Sequence, residues 1–267
     1  MTSEQLTLHT TTKGEGERRV AYCHGLFGQG KNWGTVAGST SDLATSTLVD
    51  MPNHGRSPWT EEFDYAQAAD ALAETLVGID DSGSWTVVGH SMGGKIAMML
   101  ALRHPELLDR LVVVDISPVD YEETEDIDRF VTAMQELDLG SIERRADADD
   151  ALSEDIPDKG VRAFILQNLR RTDDGWRWQL NIDLLARSLE QLRGWPAGQA
   201  EGLTYEGPVT WVGGEDSGYV KDEMTETMRE YFPYARLVTV KDAGHWVHAE
   251  QPEVFERIIR RALTADD

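Results

Sequence analysis

Short apolar runs of strand length, each closed by turn residues, alternate along this chain with longer stretches of helical spacing, and that alternation restricts the fold more than any other feature. The runs fall at 6–10, 19–23, 46–50, 85–88, 111–114, 209–212 and 235–240, and helical spacing occupies 65–79, 93–103, 221–231 and 252–263. This order predicts an α/β fold with a mostly parallel sheet, because parallel neighbours need a crossover and crossover helices cover both sheet faces. Pro252 suits the start of the last helix, where a missing N–H costs no intrahelical bond. The alternation stops after Val114 and resumes at Gly207-Pro208. The expected organisation is a core of residues 1–117 and 207–267, with 118–206 inserted as a helical cap folded over the sheet edge.

Composition narrows the function classes. A hydrophobic share of 40 % over 267 residues supplies one large core. The 48 acidic residues against 25 basic ones leave a formal net charge of -23, which disfavours a nucleic-acid partner because phosphate contacts need clustered Lys and Arg. The acid is concentrated at 121–128 and 147–150. A solvated surface is the simplest account of it, and adaptation to high salt the sharper one. No apolar run approaches the roughly 18 to 20 residues that span a bilayer, so membrane insertion is not expected. The single cysteine, Cys23, leaves no disulfide framework and agrees with a reducing, cytoplasmic setting.

The strongest local motif is Val87-Val-Gly-His-Ser-Met-Gly-Gly94, a Gly-x-Ser-x-Gly sequence placed where a predicted strand meets a predicted helix. A serine nucleophile needs that context. The turn holds Ser91 in a strained conformation with its hydroxyl clear, Gly89 and Gly93 remove the Cβ atoms that would collide around it, and the helix start directs N–H groups toward developing negative charge. Met92 is the first expected oxyanion donor. A second comes from His24-Gly-Leu-Phe-Gly28, the loop after an earlier strand, with Leu26 as the first choice and Phe27 as the alternative.

A serine hydroxyl also needs a neutral imidazole. Of the seven histidines, His245 follows the last predicted strand and precedes the last helix, and Gly244 permits a tight turn before it; His248 is the near competitor. His24, His54 and His90 read as loop and packing residues. None has the paired His or Cys spacing of a metal site, so no metal and no cofactor is expected. Two acids compete to orient the imidazole. Asp216 lies in the loop after the strand that resumes the core, and Asp115 at the end of the strand after the Ser91 helix.

The segments His24-Gly-Leu-Phe-Gly28, Asn53-His-Gly-Arg-Ser57, Gly89-His-Ser-Met-Gly-Gly-Lys95, Val114-Asp-Ile-Ser-Pro-Val119 and Gly244-His-Trp-Val-His248 occur in one order along nearly the whole chain. In this series the sequence resembles the α/β-hydrolases, in particular the branch of small bacterial esterases and their mitochondrial abhydrolase-domain relatives. The resemblance implies hydrolysis of esters or thioesters of short to medium acyl chains, or acyl transfer to an alcohol by the same residues. A noncatalytic ligand-binding member of the fold is the contrasting reading, and the presence of every catalytic part argues against it. The resemblance tilts the choice of acid to Asp115, and it offers Asp183, in Asn181-Ile-Asp183, as a third candidate. Phe164, Leu169, Trp176 and Trp178 in the cap are expected to line an apolar acyl pocket, against the simpler alternative of packing.

Overall fold

A computed structural model describes residues 6–82, 84–122 and 125–265. Seven strands form one sheet: β1 (Thr10–Lys13), β2 (Arg18–Cys23), β3 (Ala44–Val49), β4 (Trp85–His90), β5 (Leu108–Val114), β8 (Val209–Gly214) and β9 (Ala235–Val240). Their order is β1-β3-β2-β4-β5-β8-β9. Only the edge strand β1 is antiparallel, with Thr10 opposite Val49; every other pair is parallel. The middle strands are buried on both faces, as the continuous burial of Trp85–His90 shows, and this is why they read as apolar runs rather than alternating ones.

On one face the helices Tyr65–Ile79 and Met92–Arg103 pack side by side. The first buries Ala66, Ala68, Ala69, Ala71 and Ala73 around Leu72 and Leu76, and these small side chains bring its axis close to the second. Asp64 caps it, accepting a hydrogen bond from the Gln67 N–H at 2.8 Å. The other face is covered by Gly34–Ser39 and by Pro252–Thr264, whose buried Phe255, Ile259, Ala262 and Leu263 recur at helical spacing.

Three elements differ from the expectations. Of the run at 6–10 only its end enters the sheet; the strand is Thr10–Lys13. Leu8 is buried, with its N–H on Thr75 Oγ1 at 3.0 Å, so this apolar residue anchors the approach and polar residues make the ladder. The helix expected over 221–231 begins as a tight turn at Asp222–Met224 and becomes α-helical at Thr225–Tyr231. The span between β5 and β8 is not purely helical. It holds helices Glu125–Glu136, Arg145–Ala151, Lys159–Leu166, Ile182–Arg187 and Leu189–Arg193, together with a hairpin of β6 (Leu169–Thr172) and β7 (Gly175–Trp178). Its two ends are stitched together. The Tyr121 N–H donates to the Arg193 carbonyl at 3.2 Å and the Trp195 N–H to Asp120 Oδ1 at 2.6 Å. Among the described residues no helix is long and apolar enough to cross a membrane.

Candidate active site

The parallel strands β4, β5, β8 and β9 end at the same edge of the sheet, where ligands of open α/β sheets bind. Ser91 directly follows β4 with φ 53° and ψ -121°, a left-handed backbone that a non-glycine residue holds only under constraint. The constraint is visible. The Ser91 N–H donates to the Val114 carbonyl of β5 at 3.1 Å, its carbonyl accepts from the Lys95 N–H at 3.0 Å, and a Cβ on Gly93 would lie 2.4 Å from the His24 carbonyl oxygen. Met92 opens the helix, so its N–H has no intrahelical carbonyl to bond.

The loop after β2 lies against this turn. A Cβ on Gly25 would sit 3.2 Å from Ser91 Cβ and 2.8 Å from His90 Nδ1, so the Gly25–Leu26 backbone can pass beside Ser91 only without a side chain. The neighbouring Phe27 has φ 63°. Its carbonyl accepts from Asn168 Nδ2 at 2.7 Å, and Asn168 Oδ1 accepts from Gln29 Nε2 at 2.6 Å. The fully buried Asn168 thus binds the loop to the segment between β5 and β8. His24 braces the loop from behind, with Nε2 accepting from the Met51 N–H at 2.9 Å and Nδ1 donating to the Gly25 carbonyl at 2.8 Å. That pattern requires a neutral ring, and burial holds the His24 pKa below its ordinary value.

Asp115 and His245 meet across the strand ends. His245 Nδ1 lies 2.8 Å from Asp115 Oδ2. Asp115 is fully buried and has φ 49°. Its other oxygen accepts from the Gly214 N–H at 2.9 Å, and Oδ2 also accepts from Ser217 Oγ at 2.5 Å. A buried carboxyl group with three hydrogen-bond partners is fixed in place. The His245 backbone carbonyl accepts from His90 Nε2 at 2.9 Å, which joins the loop carrying His245 to the residue before Ser91. His90 itself is held neutral, its pKa well below the ordinary value, first by burial and then by the neighbouring His245 and His248.

The other candidates lie elsewhere. Asp216 is exposed, and its backbone N–H donates to the Ala243 carbonyl at 2.9 Å. Asp183 is exposed on Ile182–Arg187, accepting from Gln135 Nε2 at 3.0 Å. His248 stacks on Trp33 at 4.5 Å between ring centroids. Burial pushes its pKa down to about 4.

Ser91, Met92 and Leu26 border a cavity of about 50 Å³, walled by Tyr65, Ile116, Tyr121, Ile127, Leu192 and Tyr219, with Lys95 also in its lining. The pocket residues expected from the cap are corrected here, since Phe164, Leu169, Trp176 and Trp178 do not border it. Trp178 is buried with its indole N–H on the Met134 carbonyl at 2.9 Å, and Trp176 lies beside Arg145 and Arg171. Their apolar character serves packing of the inserted segment. Ser217, Asn168 and His90 were not anticipated as parts of the site. No local motif marks Ser217 or Asn168, and the motif that holds His90 does not give its role, because each works through a partner distant in sequence.

A strained serine between a strand and a helix, facing a glycine loop at the open edge of a parallel sheet, defines a class of hydrolytic enzymes. Residues 19–252 match the family model of the alpha/beta hydrolase fold, and the chain belongs to that family. It is similar to sn-1-specific diacylglycerol lipase ABHD11 of Mus musculus, 36 % identical over 245 residues that cover 88 % of this chain and 78 % of the mouse protein. Esterase YbfF of Escherichia coli is 33 % identical over 246 residues, 91 % of this chain and 92 % of its own length. A solved structure described as a marine microorganism esterase superposes with a TM-score of 0.91 at 32 % identity, covering 96 % of this chain and 99 % of that one. The chain is a carboxylic ester hydrolase.

Proposed function

We propose that Ser91, His245 and Asp115 form the catalytic triad of an esterase acting on short acyl chains, with 118–206 serving as the cap over the acyl pocket. The observation that carries this reading is the 2.8 Å contact of His245 Nδ1 with the buried Asp115 carboxylate, at the same strand edge as the strained Ser91. Nδ1 then holds its proton toward Asp115 and leaves Nε2 free as the base. His245 takes the Ser91 proton as the hydroxyl attacks the ester carbonyl, and the N–H groups of Leu26 and Met92 hold the oxyanion. Protonated His245 returns the proton to the leaving alcohol. Water activated by the same ring then releases the acid from the acyl-enzyme.

Cavity size argues for a short acyl group. About 50 Å³ is a third of the roughly 150 Å³ that accepts benzene, which suits an acetyl to butyryl chain. A fluorophosphonate probe and p-nitrophenyl acetate test the reading together. Wild-type protein is labelled and turns over the ester, and Ser91→Ala does neither. A folded wild-type protein that resists the probe, or labelling that survives Ser91→Ala, overturns it.

A further inference from the structure

Lys95 is an unusual residue to find in an acyl pocket. It stands one helical turn beyond Ser91, about 6 Å along the axis, with only 1 % of its surface exposed, and it borders the same cavity as the serine. Its Nζ donates to three backbone carbonyls, Val119 at 3.2 Å, Arg193 at 2.5 Å and Gly194 at 2.6 Å. The Tyr121 and Tyr65 ring centroids lie 5.0 Å and 5.8 Å away. Those carbonyls come from both ends of the span between β5 and β8, where the chain leaves the sheet and shortly before it returns.

An ammonium has three donors, and here each has an acceptor. The group is therefore held in one position, inside a cavity whose other walls are largely apolar. An acyl chain that reaches it meets a polar wall that it can neither wet nor displace without leaving the buried Nζ and the carbonyls it holds unpaired. Burial also pushes the Lys95 pKa down to about 7, with Asp120 acting in the opposite direction.

We propose that Lys95 is the specificity-determining residue for acyl length: its carbonyl-held side chain ends the pocket below Ser91 and restricts the enzyme to short acyl groups. This rests on the reading of Ser91 as the nucleophile. In Lys95→Met the side chain is one atom shorter, offers a methyl group to the chain end and no longer holds the carbonyls.

The test is kcat/KM for p-nitrophenyl acetate, butyrate, hexanoate and octanoate, with fluorophosphonate labelling run on the same samples. Wild-type activity falls at least tenfold from butyrate to octanoate. An apolar pocket end recovers about fourfold per added methylene, so over two methylenes the hexanoate-to-butyrate ratio rises about sixteenfold in Lys95→Met, chiefly through KM. Lys95→Leu, shorter still and with no donor, makes the same shift should the Met variant not fold. A parallel loss at every length shows a merely structural role and overturns the proposal, as does a wild-type protein that takes octanoate as fast as butyrate. Absent labelling of wild-type Ser91 would instead overturn the esterase mechanism, so the two failures are distinguishable.

Discussion

Asp115→Asn changes one charge and almost no volume at the least accessible carboxylate of the site. The surroundings leave the amide no harmless orientation. With its NH2 at the Oδ2 position, it points a donor at His245 Nδ1, 2.8 Å away, and imidazole relieves the clash by moving its proton to Nε2, where the ring can no longer act as a base. With the NH2 at the Oδ1 position, it faces the Gly214 N–H, 2.9 Å away, and one buried donor loses its partner at a cost of about 1–3 kcal/mol. The first state removes the base and the second destabilises the fold around it. An Asp-to-Asn change in a Ser-His-Asp triad lowers kcat by roughly 10⁴, or about 5 kcal/mol of transition-state stabilisation. The same order is expected here, with KM little altered. Stopped-flow or steady-state release of p-nitrophenol measures kcat, and thermal unfolding shows whether the variant is folded. Asp216→Asn is the control; its exposed carboxylate predicts a kcat within about threefold of wild type. A folded Asp115→Asn that keeps more than a tenth of kcat, or an Asp216→Asn that alone cripples turnover, refutes the reasoning.

Ser91→Gly should separate stability from activity. It relieves a left-handed φ of 53° worth about 1–3 kcal/mol against a glycine entropy cost of about 0.5–1 kcal/mol, so the melting point rises by about 2–4 °C while turnover vanishes; a lower melting point contradicts the strain. Ser217→Ala removes one of the two hydrogen bonds at Asp115 Oδ2 and should lower kcat about tenfold, for the roughly 1.4 kcal/mol of one such bond to a charged group. Restoration by Ser217→Thr would mark a positioning role, and an unchanged kcat in the Ala variant would exclude one. Buried histidines should make the fold acid-sensitive. The His248 and His54 pKa values are pushed down to about 4 and about 3, so below the unfolded value near 6.5 the unfolded chain binds the extra protons. Stability is complete above that pH and declines through the window down to about 4 for His248. Urea midpoints at pH 7, 5.5 and 4.5 should show wild type losing ground to His248→Gln as the pH falls; parallel curves would remove His248 from the account.

Most strand and helix positions in the core, the Gly-x-Ser-x-Gly turn and the order of its companions were legible in the amino-acid sequence, because each depends on local periodicity, turn chemistry or contiguous residues. Legibility ended where function depends on residues far apart along the chain. Asp115 and Asp216 are equally good acids as strings of letters, and only the fold puts one of them, fully buried, on His245 while leaving the other in water. The pocket walls were misread for the same reason. Aromatic residues of 164–178 look suited to an acyl chain, yet burial against their own segment claims them, and Tyr65, Tyr121, Leu192 and Lys95 line the cavity. Apolar and aromatic composition records that a residue is inside without recording what it is beside. By itself the sequence determined a parallel sheet carrying a strained serine at its edge. Only the tertiary structure decided which acid lies on the histidine and which side chains line the pocket, because both are contacts between strand ends and loops more than a hundred residues apart, or between a helix and the two ends of an inserted segment.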